Sequence, residues 1–146
     1  MTIGRVTQEQ KIAYMVQTDA GEWLMSLAGA VRHGAKSRDE LPAVGDWVLT
    51  RRGAMSAEGI SGQIVTILPR QTVLARALGT GERQILASNV QIAFLITALN
   101  ANFNLRRMER YLALVEGTGV TPVLLLTKSD LVEDAAGMVA QVQAMA

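Results

Sequence analysis

Two kinds of hydrophobic pattern divide this chain, and a single sheet cannot satisfy both. Over the first seventy or so residues the apolar side chains alternate in short runs. Ile12, Tyr14 and Val16 share one face of an extended segment, Trp23, Met25 and Leu27 share a face of the next, and Trp47 and Leu49 a face of a third. A fourth segment carries Ile64, Val65, Ile67 and Leu68. Turn-forming residues stand between them at Asp19, Gly21, Gly45, Asp46, Gly59 and Gly62. A period of two marks strands with one buried face. Several such strands in so short a stretch predict a small closed β barrel, and an OB-fold and an SH3-like barrel fit the pattern about equally well.

The second pattern starts at residue 91. Residues 91–99 (QIAFLITAL) and 122–127 (PVLLLT) are nearly continuous apolar runs, as expected of parallel strands covered by helices on both faces. Between them Leu105, Met108, Tyr111, Leu112 and Val115 recur at helical spacing, with Asn104 as N-cap and Gly117 and Gly119 as stop signals. Strand, helix and strand predict a βαβ unit. A further helix is expected from about Glu133. Two parallel strands and two helices do not complete a doubly wound domain, so a fragment is expected.

Composition excludes several chemistries. The 146 residues include no cysteine and one histidine, His33, so neither a disulfide framework nor a cysteine-ligated zinc site can form within them. The net charge of +1 argues neither for nor against a nucleic acid partner. The start, MTIGRVTQEQ, lacks the apolar core of a secretory signal, and the longest apolar runs fall far short of a membrane span. The expectation is a cytoplasmic, monomeric protein that does not engage membranes.

One tetrapeptide carries chemistry. Thr127, Lys128, Ser129 and Asp130 follow directly on the second apolar run, and open α/β domains bind ligands at the carboxyl ends of such strands. The pattern Asn/Thr-Lys-x-Asp in that setting is the guanine-specificity motif of GTPases. Asp130 can accept two parallel hydrogen bonds from guanine N1–H and the exocyclic amine, a pair of donors that adenine lacks. The aliphatic stem of Lys128 can lie over the base, while Thr127 steadies the loop. The competing account is an ordinary strand-to-helix turn, with Ser129 or Asp130 capping the following helix. Two look-alikes are set aside. Residues 29–37 (GAVRHGAKS) place Ala35 where a phosphate loop has its lysine, and 134–137 (DAAG) fall at the expected second helix instead of a strand end. No G-x-x-x-x-G-K-[ST] occurs in the chain.

Six segments in one order add a resemblance. They are Arg32-His33, LPAVGDWV at 41–48, LPR at 68–70, ASNV at 87–90, NFNLRRMERYL at 102–112 and LTKSDL at 126–131. Together they resemble the ribosome-small-subunit-dependent GTPase A family, RsgA. The resemblance implies a fold: an N-terminal OB-fold barrel followed by a circularly permuted α/β P-loop-type GTPase domain, whose base-recognition motif precedes its phosphate loop. The expected boundaries are 1–75 for the RNA-binding barrel, 76–89 for a connector and 90–146 for the first, truncated part of the GTPase domain. It implies guanine binding at Thr127, Lys128, Ser129 and Asp130, with GTP or GDP as ligand and the small ribosomal subunit and its rRNA as partners. It also implies magnesium at a phosphate loop and zinc in a C-terminal domain. Both lie beyond the six segments, so this stretch alone is expected to be catalytically inactive.

An OB barrel binds RNA through a basic groove. The candidates are Arg32, His33, Lys36 and Arg38 in one stretch, and Arg51 and Arg52 after the strand bearing Trp47. The competing account is a solvated loop balanced by Asp39, Glu40 and Asp46. Trp23 and Trp47 are expected in the core, and Arg106, Arg107 and Arg110 on a solvent-facing helix side. The rival for the whole chain is a stand-alone RNA-binding OB module with a non-catalytic α/β appendage.

Overall fold

The computed structural model describes residues 1–79, 81–101 and 103–145. Asn102 of the NFNLRRMERYL segment and the terminal Ala146 therefore lie outside the described residues. Two compact units are present, Met1–Val90 and Gln91–Ala146.

Five strands of the first unit close into a barrel: β1 (Thr2–Glu9), β2 (Tyr14–Thr18), β3 (Gly21–Leu27), β4 (Trp47–Arg52) and β5 (Gly62–Ile67). Their order around the barrel is β1-β2-β3-β5-β4, with β4 returning to pair with β1. All pairings are antiparallel except the short parallel contact of β3 with β5 at Ser26–Gln63 and Leu27–Ile64. That connectivity is the five-stranded Greek-key barrel of the OB-fold, which decides between the two barrels left open by the alternation. A short helix, α1 (Gly29–Gly34), and a 3-10 turn at Arg38–Glu40 lie between β3 and β4.

The barrel interior is filled by Val6, Tyr14, Val16, Met25, Val48 and Ile64, with Trp23, Leu27 and Ile67 packed against them. Burying one aliphatic side chain of this size contributes about 1.5–3 kcal/mol, so the set outweighs any single surface interaction. Strand β4 reverses the expected face. Val48 and Thr50 are buried, whereas Trp47 is 44% exposed. The Thr50 hydroxyl is satisfied by donating to the Thr2 carbonyl at 2.8 Å, so a threonine can point inward here. Trp47 is thus a surface residue, with the Arg5 guanidinium 5.5 Å from its ring centroid.

The stretch 76–89, expected as a connector, lies largely within a hairpin. Strands β6 (Val73–Ala77) and β7 (Arg83–Ser88) pair antiparallel as a separate two-stranded sheet. The hairpin falls in the same unit as the barrel.

The second unit holds β8 (Ile92–Ala98), α2 (Leu105–Val115), β9 (Thr121–Thr127) and α3 (Ala135–Met145). Strands β8 and β9 are parallel and in register from Ile92–Thr121 to Ala98–Thr127. Asn104 caps α2 by accepting from the Arg107 amide at 3.2 Å. Past the end of the helix, Gly117 and Gly119 adopt φ of +73° and +78°, a conformation that glycine reaches without a Cβ penalty. Met108 and Val115 of α2 are buried, while Tyr111 is exposed. On β8 the alternate residues Ile92, Phe94 and Ile96 are exposed, so helix cover lies on only one face of this sheet among the described residues. None of these helices is long and apolar enough to cross a membrane.

Candidate functional site

Thr127 is the last residue of β9, and its carbonyl accepts from the Leu99 amide at 2.8 Å. Directly after it the chain turns. Lys128 sits in the left-handed region at φ 58°, ψ 39°, one of two non-glycine residues among those described with positive φ. Holding a lysine there costs of order 1–3 kcal/mol, and strain of that kind concentrates at ligand-binding turns. Ser129–Leu131 then form a 3-10 turn closed by the Leu131 amide on the Lys128 carbonyl at 3.1 Å.

All four residues of the tetrapeptide are exposed at the carboxyl end of the parallel strand pair. The Asp130 carboxylate engages no side-chain hydrogen bond or ion pair among the described residues. The competing account needed it, or Ser129, to cap the next helix. That role belongs to Asp134, whose carboxylate accepts from the Gly137 amide at 2.8 Å while its carbonyl accepts from Met138. The DAAG look-alike is therefore a helix cap with glycine at the third helical position.

The basic candidates of the barrel fall into two groups. Arg51 and Arg52 pair in register with Gln63 and Gly62, at the start of β5. With Ser26 they line a shallow cleft of about 260 Å³. Arg51 donates to the Gln63 side chain at 3.4 Å, and the Arg52 guanidinium stacks 3.6 Å above the Trp23 ring centroid. Helix α1 instead packs by Val65, Thr66 and Ile67, at the far end of β5. Arg32, His33, Lys36 and Arg38 are all exposed on that side. Arg32 and Arg38 line a second cleft of about 340 Å³ with Lys11 and Tyr14. Arg38 also reaches Glu9 at 3.5 Å, an exposed pair that adds little to stability. Burial, reinforced by the nearby Glu9 carboxylate, holds the Tyr14 hydroxyl above its ordinary pKa.

The acids expected to balance these cations do not act alike. Asp39 is held below the usual carboxylate range by the Ser37 hydroxyl, which donates to it at 2.5 Å. Glu40 accepts from the Lys36 backbone amide at 2.8 Å. Asp46 is fully buried and pairs with Arg70, so it is no surface counter-charge. Of the three arginines expected on a solvent-facing side of α2, Arg106 and Arg110 are exposed and Arg107 is half-buried. Among the described residues no group of three or more His, Cys, Asp and Glu could hold a metal ion.

A Thr-Lys-Ser-Asp turn at the end of a parallel strand thus follows an OB barrel in the sequence. The family model described as RsgA GTPase matches residues 67–146, more than half of the chain. The chain belongs to the RsgA GTPase family. Among its relatives, the small ribosomal subunit biogenesis GTPase RsgA of Opitutus terrae is 42% identical over 146 residues, covering 95% of this chain and 40% of the relative. The RsgA 2 protein of Lactiplantibacillus plantarum is also 42% identical, over 135 residues, with 92% and 37% covered. The chain thus spans about 40% of the length of the curated RsgA relatives it matches. Two solved structures share the fold. YloQ, described as a circularly permuted GTPase, superposes with a TM-score of 0.62 at 23% identity, covering 99% of this chain and 46% of that one. YjeQ from Thermotoga maritima gives 0.66 at 21%, with 98% and 47% covered.

Proposed function

We propose that this RsgA-family chain supplies the guanine-recognition loop and an rRNA-binding barrel to a GTPase acting in the biogenesis of the small ribosomal subunit. The observation that carries the nucleotide part is the loop at the end of β9. Lys128 in the left-handed region ends the strand in one step, and the following turn presents an Asp130 carboxylate that no side chain among the described residues engages. In this role Asp130 accepts from guanine N1–H and the exocyclic amine, Lys128 covers the base with its stem, and Thr127 and Ser129 shape the turn. Discrimination against adenine follows, because the carboxylate would face an acceptor at N1 and lose both donors. Arg32, His33, Lys36, Arg38, Arg51 and Arg52 meet the phosphates of rRNA. GTP hydrolysis, with its magnesium and phosphate-cradling loop, is proposed for the protein at the length of its relatives. No phosphate loop occurs in the 146 residues, so they are expected not to turn over GTP alone.

The test is an Asp130→Asn variant at the length of the relatives. Competition against a fluorescent GDP analogue should show GTP binding weakened and xanthosine triphosphate favoured, since xanthine offers an acceptor where guanine has its amine. Unchanged GTP affinity refutes the assignment of this loop.

A further inference from the structure

Among the described residues the β6–β7 hairpin pairs with no strand of the barrel. An isolated two-stranded hairpin is at best marginally stable in water, so something outside its own ladder holds it. The fastening is visible at Asp46. This carboxylate is 0% exposed and accepts from three groups. The Ala43 amide reaches Oδ2 at 2.8 Å, and Arg70 approaches with Nε on Oδ1 at 2.8 Å and Nη2 on Oδ2 at 2.6 Å. The third group is the hydroxyl of Ser88, also 0% exposed. Arg70 precedes β6 and Ser88 ends β7, so one carboxylate grips the chain where it enters the hairpin and where it leaves.

Neighbouring bonds reinforce the grip. Arg70 donates further to the Asp39 and Leu41 carbonyls at 2.6 and 2.8 Å. The Ser88 amide donates to the Val44 carbonyl at 2.9 Å. The Asn89 side chain bridges the Gly45 carbonyl, at 3.1 Å, and the Gln71 amide, at 2.8 Å. Arg5 of β1 donates to the Asn89 carbonyl at 2.9 Å.

We infer that the buried Asp46 carboxylate is a latch that makes the β6–β7 hairpin a fixed arm of the barrel, and that the hairpin opens as its own cooperative unit once the latch is removed. Local units of this kind open with free energies below that of the whole fold. The barrel core of Val6, Val16, Met25, Val48 and Ile64 contains no hairpin residue and should outlast the hairpin. An asparagine at position 46 turns one carboxylate oxygen into a donor that faces the Arg70 or Ala43 N–H groups, so the charge-assisted fork is lost while volume is kept.

Hydrogen-exchange mass spectrometry on the 146-residue chain tests this. Asp46→Asn should raise exchange of amides in 73–88 at least about tenfold, while amides of β2 and β3 keep their rates. Ser88→Ala, which removes one donor and no charge, should raise exchange of the same segment by a smaller factor, and it carries the test should Asp46→Asn fail to fold. Unchanged exchange in 73–88, or equal acceleration of 73–88 and of β2 and β3, overturns the latch: either result makes the cluster ordinary support for the whole unit.

Discussion

The Arg52 guanidinium lies 3.6 Å above the ring centroid of Trp23, close enough for the planar cation to stack flat on the indole. Trp23 packs against the barrel core from β3, and its buried Nε1 has no hydrogen-bond partner. Arg52, at the end of β4, therefore covers an aromatic face that would otherwise meet water. Such a pair contributes about 0.5–1 kcal/mol at exposed sites and about 2 when desolvated. In urea titrations of Arg52→Ala, Trp23→Ala and the double variant, the coupling energy should come out near the lower of these figures. A coupling indistinguishable from zero makes the stacking incidental and returns Arg52 wholly to the RNA-binding set.

The two basic groups of the barrel lie at opposite ends of β5, and they can be separated by salt dependence. Removing one phosphate interaction makes the fall of log affinity with log salt shallower by about 0.7–0.9. Arg32→Glu with Arg38→Glu should weaken binding to small-subunit rRNA and flatten that slope, and so should Arg51→Glu with Arg52→Glu. The measurement is a filter-binding or anisotropy series across salt concentrations. A pair whose reversal leaves the slope unaltered is removed from the interface, together with its end of the barrel.

What the sequence disclosed and what it hid follow from how far apart the cooperating residues stand. The strand-end turn at Thr127 to Asp130 was legible because these residues are contiguous and follow an apolar strand. The barrel was legible from alternation, but alternation could not orient β4. Trp47, Val48 and Leu49 are all apolar, and the inward Thr50 masks the true parity until its bond to the Thr2 carbonyl is seen. The β6–β7 hairpin was hidden by a register shift between Leu74 and Ala75, which breaks the period of two. The latch could not be read at all, since Arg70 and Ser88 stand 24 and 42 residues from Asp46 in the chain. Its trace in the sequence was the LPAVGDWV, LPR and ASNV segments, which carried the family resemblance without revealing that they touch.

Tyr14 supplies a pH-dependent prediction with a definite sign. Burial, and next the Glu9 carboxylate, hold its hydroxyl above the ordinary tyrosine value in the folded chain. The folded state therefore keeps its proton at pH values where the unfolded chain has begun to lose it. The contribution of this group is fully present below about pH 10, the ordinary value, and is lost as pH rises through the folded pKa. Tyr14 is 6% exposed and its ring belongs to the barrel core, while its hydroxyl is subject to the charges of Glu9, Arg38 and Arg32, so ionising it carries the desolvation cost that burial imposes. Alkaline denaturation of the wild-type chain, followed by circular dichroism above pH 10, should begin at a lower pH than that of Tyr14→Phe, which keeps the ring and removes the titrating hydroxyl. Below pH 9 the two chains should differ by no more than the cost of one hydroxyl group, about 1 kcal/mol either way. Coincident alkaline limbs would mean that the unfolding transition is set by other groups and that the buried hydroxyl reaches solvent before it ionises.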